Sequence, residues 1–302
     1  MTPSAALPAQ RKPVSSARAT GAVAFTILSW ASAFPFIRIG LHGLAPMQLA
    51  AARFATAAVL VIVWLCYRRP TRPSLRDAAW FLVSGFLGIA SYNALLNTAE
   101  LTVAPGAAAF IMSTSPIFTA ILATLFLREK FNRWGWIGSL FSFAGIGVIA
   151  WGQPGGLVPG SGATLILLAA LASAGYFVLQ RRLIPVYGAL PSTAYTLLAG
   201  ALLLSPWLPG AIGSLAAPAA SPGTLGAVLV LGVFPAALGY ASWTVGLGYF
   251  GAARASSFLY LVPAAATVLS MGMTGERPGV ATLVGGGMAI LGVAFVAWRG
   301  RG

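Results

Sequence analysis

The sequence predicts an all-α integral membrane protein: ten transmembrane helices arranged as two inverted five-helix repeats around a central cavity. Three observations carry that expectation. The 302-residue chain is 58% hydrophobic and only 7% charged, whereas a soluble domain carries about 25% charge because its surface must face water. Ten apolar runs approach the roughly 20 residues that a helix needs to cross the hydrocarbon layer. A set of punctuating residues also occurs twice. Tyr92, Phe110, Pro116, Glu129, Lys130, Gly138, Gly145 and Trp151 form one copy; Tyr240, Phe258, Pro263, Glu276, Arg277, Gly285, Gly292 and Trp298 form the other. The offset is 148 residues for the tyrosine and phenylalanine and 147 from the proline to the tryptophan. Self-similarity at a fixed period marks an internal duplication.

The elements follow in order. Residues 1–19 are rich in Pro, Ala and Ser, include Arg11, Lys12 and Arg18, and read as a flexible cytoplasmic tail. Residues 20–151 form the first repeat, with spans near 20–40, 46–66, 76–98, 104–127 and 134–151. Residues 162–298 form the second, with spans near 162–182, 190–207, 224–246, 252–273 and 280–298. The connections carry turn-formers: Pro70 to Pro73, Gln153 to Gly156, and Pro218 to Gly223. Ala31-Ser32-Ala33 resembles a signal-peptidase site. The same triplet recurs at Ala172-Ser173-Ala174, deep in the chain, so close helix packing accounts for both. Cys66 is the only cysteine, which excludes an intrachain disulfide and a thiolate metal cluster.

Charge placement sets the orientation. With the N-terminus in the cytoplasm, fifteen of the eighteen basic residues lie inside, and only Arg38, Arg53 and Arg277 fall at or near the outer side. The positive-inside rule favours this arrangement, with both termini cytoplasmic. The net charge of +14 is a topology signal on this reading, not a nucleic-acid surface. Five spans per half is an odd number, so the second copy enters the membrane from the opposite side. That is an inverted-topology repeat, an arrangement that permits alternating access.

Polar groups within apolar helices usually face the bundle interior. Ser29 and Ser32, Gln48, Tyr92, Asn93 and Asn97, Tyr176 and Gln180, and Tyr240, Ser242 and Trp243 are such groups. Asn93 and Asn97 are four apart and share a helix face; they either bond a substrate or bond another helix. Trp30, Phe34 and Phe36 lie deep in the first span, where they line a cavity or face lipid. The candidate substrate-binding set is Trp30, Ser32, Phe36, Tyr92, Asn93, Asn97, Tyr176, Gln180, Tyr240 and Trp243. Pro116 and Pro263, at matching places in the fourth and ninth spans, are candidate hinges, with static helix curvature as the alternative. Arg53 has three open readings: a fork for a carboxylate or phosphate, a partner of Glu100, or a side chain reaching the outer headgroups.

The four acids, Asp77, Glu100, Glu129 and Glu276, all sit at or near span ends, and His42 falls in the first outer loop. No set of metal ligands or nucleophile and base is laid out for catalysis, so neither an enzyme nor a metal or organic cofactor is expected. A proton-coupled pump keeps an ionisable relay inside the membrane, and its lack here points to facilitated or substrate-gradient-driven movement.

Leu125 to Lys130 follows a proline-bearing span and precedes a Gly-rich one, and Met271 to Arg277 does likewise. Together with Trp30-Ala31-Ser32-Ala33-Phe34, these segments resemble the EamA family of the drug/metabolite transporter superfamily. The chain as a whole is similar to the YddG-type branch of amino-acid exporters. The resemblance extends from about Thr20 to Trp298. It implies ten helices, cytoplasmic termini, a bacterial inner-membrane location and a cavity between the two halves. It also implies export of amino acids, aromatic ones included, and similar small amphiphiles. An oligomer is not required for this, and a monomer is expected. Exchange of sugar phosphates or nucleotide sugars is the alternative within the same superfamily. Arg128 precedes Glu129 where Gly275 precedes Glu276, so the two copies differ inside the motif itself.

Overall fold

Lipid offers no water to peptide groups, so a spanning chain must satisfy its amides within helices or a closed barrel. The computed structural model describes residues 14–103, 105–151, 161–218, 221–274 and 279–299, and among these it is helical with no strand. Glu276 and Arg277, residues 153–156, and residues 1–13 of the expected tail lie outside the described residues.

Helix α1 (Ser16–Leu41) begins four residues before the expected span, because the Ser15 side chain caps it by accepting from the Arg18 backbone N–H. Residues 16–19 are therefore helix, not tail. Helix α2 (Pro46–Arg68) opens on a proline, which fits a first turn whose N–H has no intrahelical partner. The third run divides into α3 (Leu75–Gly85), a π-helical segment at Phe86–Ser91, and α4 (Tyr92–Ala99). The fourth is α5 (Pro105–Met112), a turn, α6 (Ser115–Leu122) and a π segment at Ala123–Leu127. Helix α7 (Arg133–Trp151) follows. In the second half come α8 (Ser161–Tyr187), α9 (Ala189–Leu204), α10 (Leu208–Ala216) and α11 (Pro222–Leu231). After a π segment at Gly232–Gly239 come α12 (Tyr240–Phe250), α13 (Ala252–Ser257), a 3₁₀ turn at Phe258–Tyr260, α14 (Leu261–Thr274) and α15 (Val280–Arg299).

Seven helical stretches among the described residues are long and apolar enough to cross a membrane: Ser16–Leu41, Pro46–Arg68, Leu75–Ala99, Ala108–Leu127, Gly162–Tyr187, Ala189–Ala216 and Pro222–Phe250. The expected run 252–273 is instead interrupted by the 3₁₀ turn, so no single long helix forms there. Outward faces are apolar, with Val59, Val63, Leu125, Phe126, Ile290 and Leu291 all exposed. Such a surface suits lipid, not water.

The two halves interleave. Helix α1 packs on α11, α12 and α14, while α8 packs on α4, α5 and α6; α2 lies against α9, and α6 against α13. Helices α7 and α15 form a close pair. A Cβ added at Gly145 would stand 2.7 Å from the Gly285 carbonyl oxygen, and one at Gly138 2.8 Å from that of Gly292. The glycines that mark the repeat are thus the points where the two backbones touch, a contact that only small residues permit.

Candidate functional site

A cavity lies where the halves meet. Its walls are Trp30, Ala33, Phe34 and Ile37 of α1, Arg53 of α2, and Tyr92 and Leu96 of α4. The α5–α6 break adds Ala109, Met112, Ser113, Ser115 and Pro116. From the other half come Ser173, Tyr176 and Phe177 of α8, Tyr240 of α12, Leu259 of the 3₁₀ turn, and Val262 and Pro263 of α14. The lining is mainly aromatic and aliphatic, with Arg53 as its charged side chain.

The aromatic wall is built on irregular helix. The π segment Gly232–Gly239 contains Pro235, which cannot donate to the ladder. The Pro235 carbonyl accepts from Trp30 Nε1 at 3.1 Å. Tyr240 begins the regular helix after that segment, and its hydroxyl donates to the Gly88 carbonyl, inside the matching π segment, at 2.8 Å. Each half thereby fills a carbonyl in the π segment of the other half through a cavity aromatic. Trp30 packs against Phe177, Tyr240 and Trp243 at centroid distances of 6.4, 5.5 and 5.4 Å. Phe177 and Trp243 are 4.6 Å apart. These separations are those of favourable ring pairs.

Of the ten candidate contact residues, Trp30, Tyr92, Tyr176 and Tyr240 line the cavity. Trp243 is fully buried behind Trp30 and Phe177. The remaining five serve elsewhere. The Ser32 hydroxyl donates to the Ser29 carbonyl at 2.8 Å. Phe36 packs with Ile37, Leu44 and Leu49. Asn97 donates to the Pro46 carbonyl at 3.1 Å, joining α4 to the start of α2. Gln180 donates to Ser84 and Thr196 at 3.2 and 2.5 Å, tying α8 to α3 and α9. Asn93 donates to its own helix at Ile89 and accepts from Arg53 Nη1 at 3.2 Å. Asn93 thus holds the arginine, and the arginine faces the cavity.

Pro116 and Pro263 both line the cavity, but neither kinks a continuous helix. Pro116 sits in the first turn of α6, just after the turn that ends α5. Pro263 sits in the first turn of α14, just after the 3₁₀ turn. A proline is tolerated there because its missing N–H has no intrahelical acceptor. The breaks precede the prolines and leave polar backbone and Ser113 and Ser115 at the cavity wall.

Arg53 does not reach the headgroups: it is 4% exposed. Nor does it pair with Glu100, since the ion pair found among the described residues is Arg181 with Glu129. Its Nε has no hydrogen-bond partner. Glu100, read from sequence as peripheral, is 6% exposed in the turn just past α4, and neither carboxylate oxygen has a partner. Burial pushes this carboxyl up to about 8, against the pull of Arg53 and Arg38. The position of Glu100 at a run's end hid this, because loop and helix end look alike in a hydropathy plot. Phe177 was missed for another reason: one phenylalanine in an apolar run carries no pattern that separates cavity from lipid.

Comparison with known proteins adds the following. The profile described as the EamA-like transporter family matches twice, over residues 19–151 and 160–298. An uncharacterized transporter of Bacillus subtilis, YdfC, is 36% identical over 88% of this chain and 86% of its own length. A probable terminal-alkyne amino-acid exporter of Streptantibioticus cattleyicolor is 33% identical over 94% of this chain and 95% of its own. The uncharacterized inner membrane transporter YedA of Escherichia coli K12 is 29% identical over 85% of this chain and 83% of its own. One crystal structure shares the fold with a TM-score of 0.78 at 20% identity, covering 95% of this chain and 99% of that one.

Proposed function

The chain belongs to the EamA-like transporter family, and we propose that it exports amino acids, aromatic ones included, across a bacterial inner membrane by alternating access. The observation that carries this reading is a single buried guanidinium, Arg53, set in an otherwise aromatic and aliphatic cavity walled by both halves. A guanidinium is a planar fork matched to a carboxylate, and Trp30, Tyr92, Tyr176, Phe177 and Tyr240 offer flat surfaces to an amino-acid side chain. The relative described as a probable amino-acid exporter supports the same substrate class.

Alternating access rests on ten spans in two inverted repeats, with the termini inside. The double family match supports the duplication. The packing is consistent with a two-fold relation, because contacts come in reciprocal pairs: α1 with α12 and α8 with α4, or a helix with its own counterpart, as in α7 with α15. Rocking one half against the other would expose the cavity to each side in turn. Pro116 and Pro263, beside matched breaks in the cavity wall, are the points at which the wall segments would bend.

A sugar phosphate or nucleotide sugar carries two or more negative charges and needs several cations, whereas the cavity lining supplies one. Uptake of labelled phenylalanine and threonine into proteoliposomes, run with and without a pH gradient, tests the reading. Protein-dependent flux of amino acids but not of glucose 6-phosphate is expected. Flux of the phosphate alone would reverse the assignment.

A further inference from the structure

We propose that Glu100 is a proton-binding site linked to substrate through Arg53, so that the protein takes up a proton at Glu100 when a carboxylate occupies the cavity. The inference rests on the amino-acid reading above. Glu100 lies one helical turn past Leu96, which lines the cavity, on the same chain segment as the lining residue Tyr92. It is nine-tenths buried, and among the described residues no cation stands within 4.0 Å of it. Both carboxylate oxygens lack hydrogen bonds. A buried carboxylate without bonds is costly, and protonation removes that cost.

The ionisable groups around it are few. Arg53 of α2 and Arg38 of α1 act on it through their charge, and Tyr92 lies on the helix that leads to it. Helix α8 begins beside it, with Gly162 against Ala99, Thr102 and Val103. Arg181 and Arg182 of α8 therefore lie roughly 28 Å further along that helix, at 1.5 Å per residue. Helices α5 and α10 carry no ionisable side chain.

Arg53 is thus the cation shared by Glu100 and the cavity. An empty cavity leaves its charge to favour the Glu100 anion. A substrate carboxylate at Arg53 offsets that charge, and the Glu100 anion becomes less favourable. One proton then passes from bulk water to a Glu100 oxygen on binding and returns on release. Linkage makes the effect reciprocal: protonated Glu100 must favour the carboxylate.

Titration calorimetry of the full chain with L-phenylalanine, in two buffers of different ionisation enthalpy, measures the uptake. The expected result is a substantial fraction of one proton per bound phenylalanine at pH 8, and affinity about fourfold weaker at pH 8.5 than at 6.5 for a carboxyl titrating near 8. Glu100→Gln is expected to bind with no uptake and a flat pH profile. If that variant does not fold, Glu100→Asp, with its carboxyl drawn back by one methylene, is expected to keep the uptake at a shifted midpoint. Wild-type binding without uptake, or uptake that persists in Glu100→Gln, or an unshifted Glu100→Asp midpoint, overturns the inference alone. Failure of the wild type to bind any amino acid overturns the functional reading and this inference with it.

Discussion

Replacing Glu129 with alanine should loosen the junction between the two halves. The Glu129 carboxylate accepts from Arg181 Nε at 3.1 Å and from the backbone N–H groups of Ala252 and Ala253, each at 3.0 Å. Arg181 also donates through Nη1 to the Gly248 carbonyl at 3.0 Å. One carboxylate from the connection after α6 therefore holds α8 and the start of α13. An exposed ion pair is worth about 0.2–1 kcal/mol, and a hydrogen bond to a charged group about 1.5–3 kcal/mol. The Arg181 and Glu129 side chains are 31% and 19% exposed, so solvent screens the ion pair but not the two backbone bonds. A loss of about 2–3 kcal/mol is expected for Glu129→Ala and about 1–2 kcal/mol for Arg181→Ala. At about 2–4 °C per kcal/mol, the Glu129 change lowers Tm by roughly 4–12 °C. The assay is thermal unfolding in detergent, followed by tryptophan fluorescence, on both single variants and the double. Because the pair shares one bond, the double variant should lose less than the sum of the singles. Shifts that add within error would refute the clamp.

Gly251 has φ +82°, and an added Cβ would stand 3.1 Å from the Glu129 carboxylate; Gly251→Ala should cost about 1–2 kcal/mol, read by the same unfolding assay. Gly145→Leu should separate α7 from α15, whose backbones meet at that glycine, and crosslinking between cysteines placed on those two helices should fall. Tyr240→Phe removes the donor to Gly88 and should cost about 1 kcal/mol, visible as a small drop in Tm. The Glu100 carboxyl titrates near 8 in the folded chain against an ordinary 4.5. Between those values the folded state holds more protons than the unfolded one, so this group's stabilising contribution is complete below about 4.5 and is lost as pH rises through 8. Glu100→Gln should therefore gain Tm relative to wild type from pH 6 to 9, and an equal difference at every pH would count against the burial argument.

Several parts of the site were legible because they obey local rules. Trp30, Tyr92, Tyr176 and Tyr240 stand out as polar-tipped aromatics inside apolar runs, and each lines the cavity. Pro116 and Pro263 stand out by their repeat spacing, and both line it too. Asn93, Asn97 and Gln180 look the same in sequence, yet their amides bond protein groups. A buried amide is satisfied equally by substrate or by a neighbouring helix, so residue type alone does not choose. Gly275 and Glu276, which carry half of the repeated motif, lie outside the described residues.

Composition, the length of the apolar runs and the repeat spacing determined that this chain is a membrane protein of helices with a duplicated pattern, because lipid restricts the backbone to helices or closed barrels, runs of about 20 apolar residues suit helices, and duplication leaves a period. Tertiary structure alone decided which polar groups serve the cavity. Arg53 gains its role from Asn93, 40 residues away, and Glu100 is buried at the end of α4, where that helix meets the starts of α2 and α8. Both outcomes depend on which helices meet, and the energy of a charge depends on its three-dimensional surroundings far more than on its neighbours along the chain.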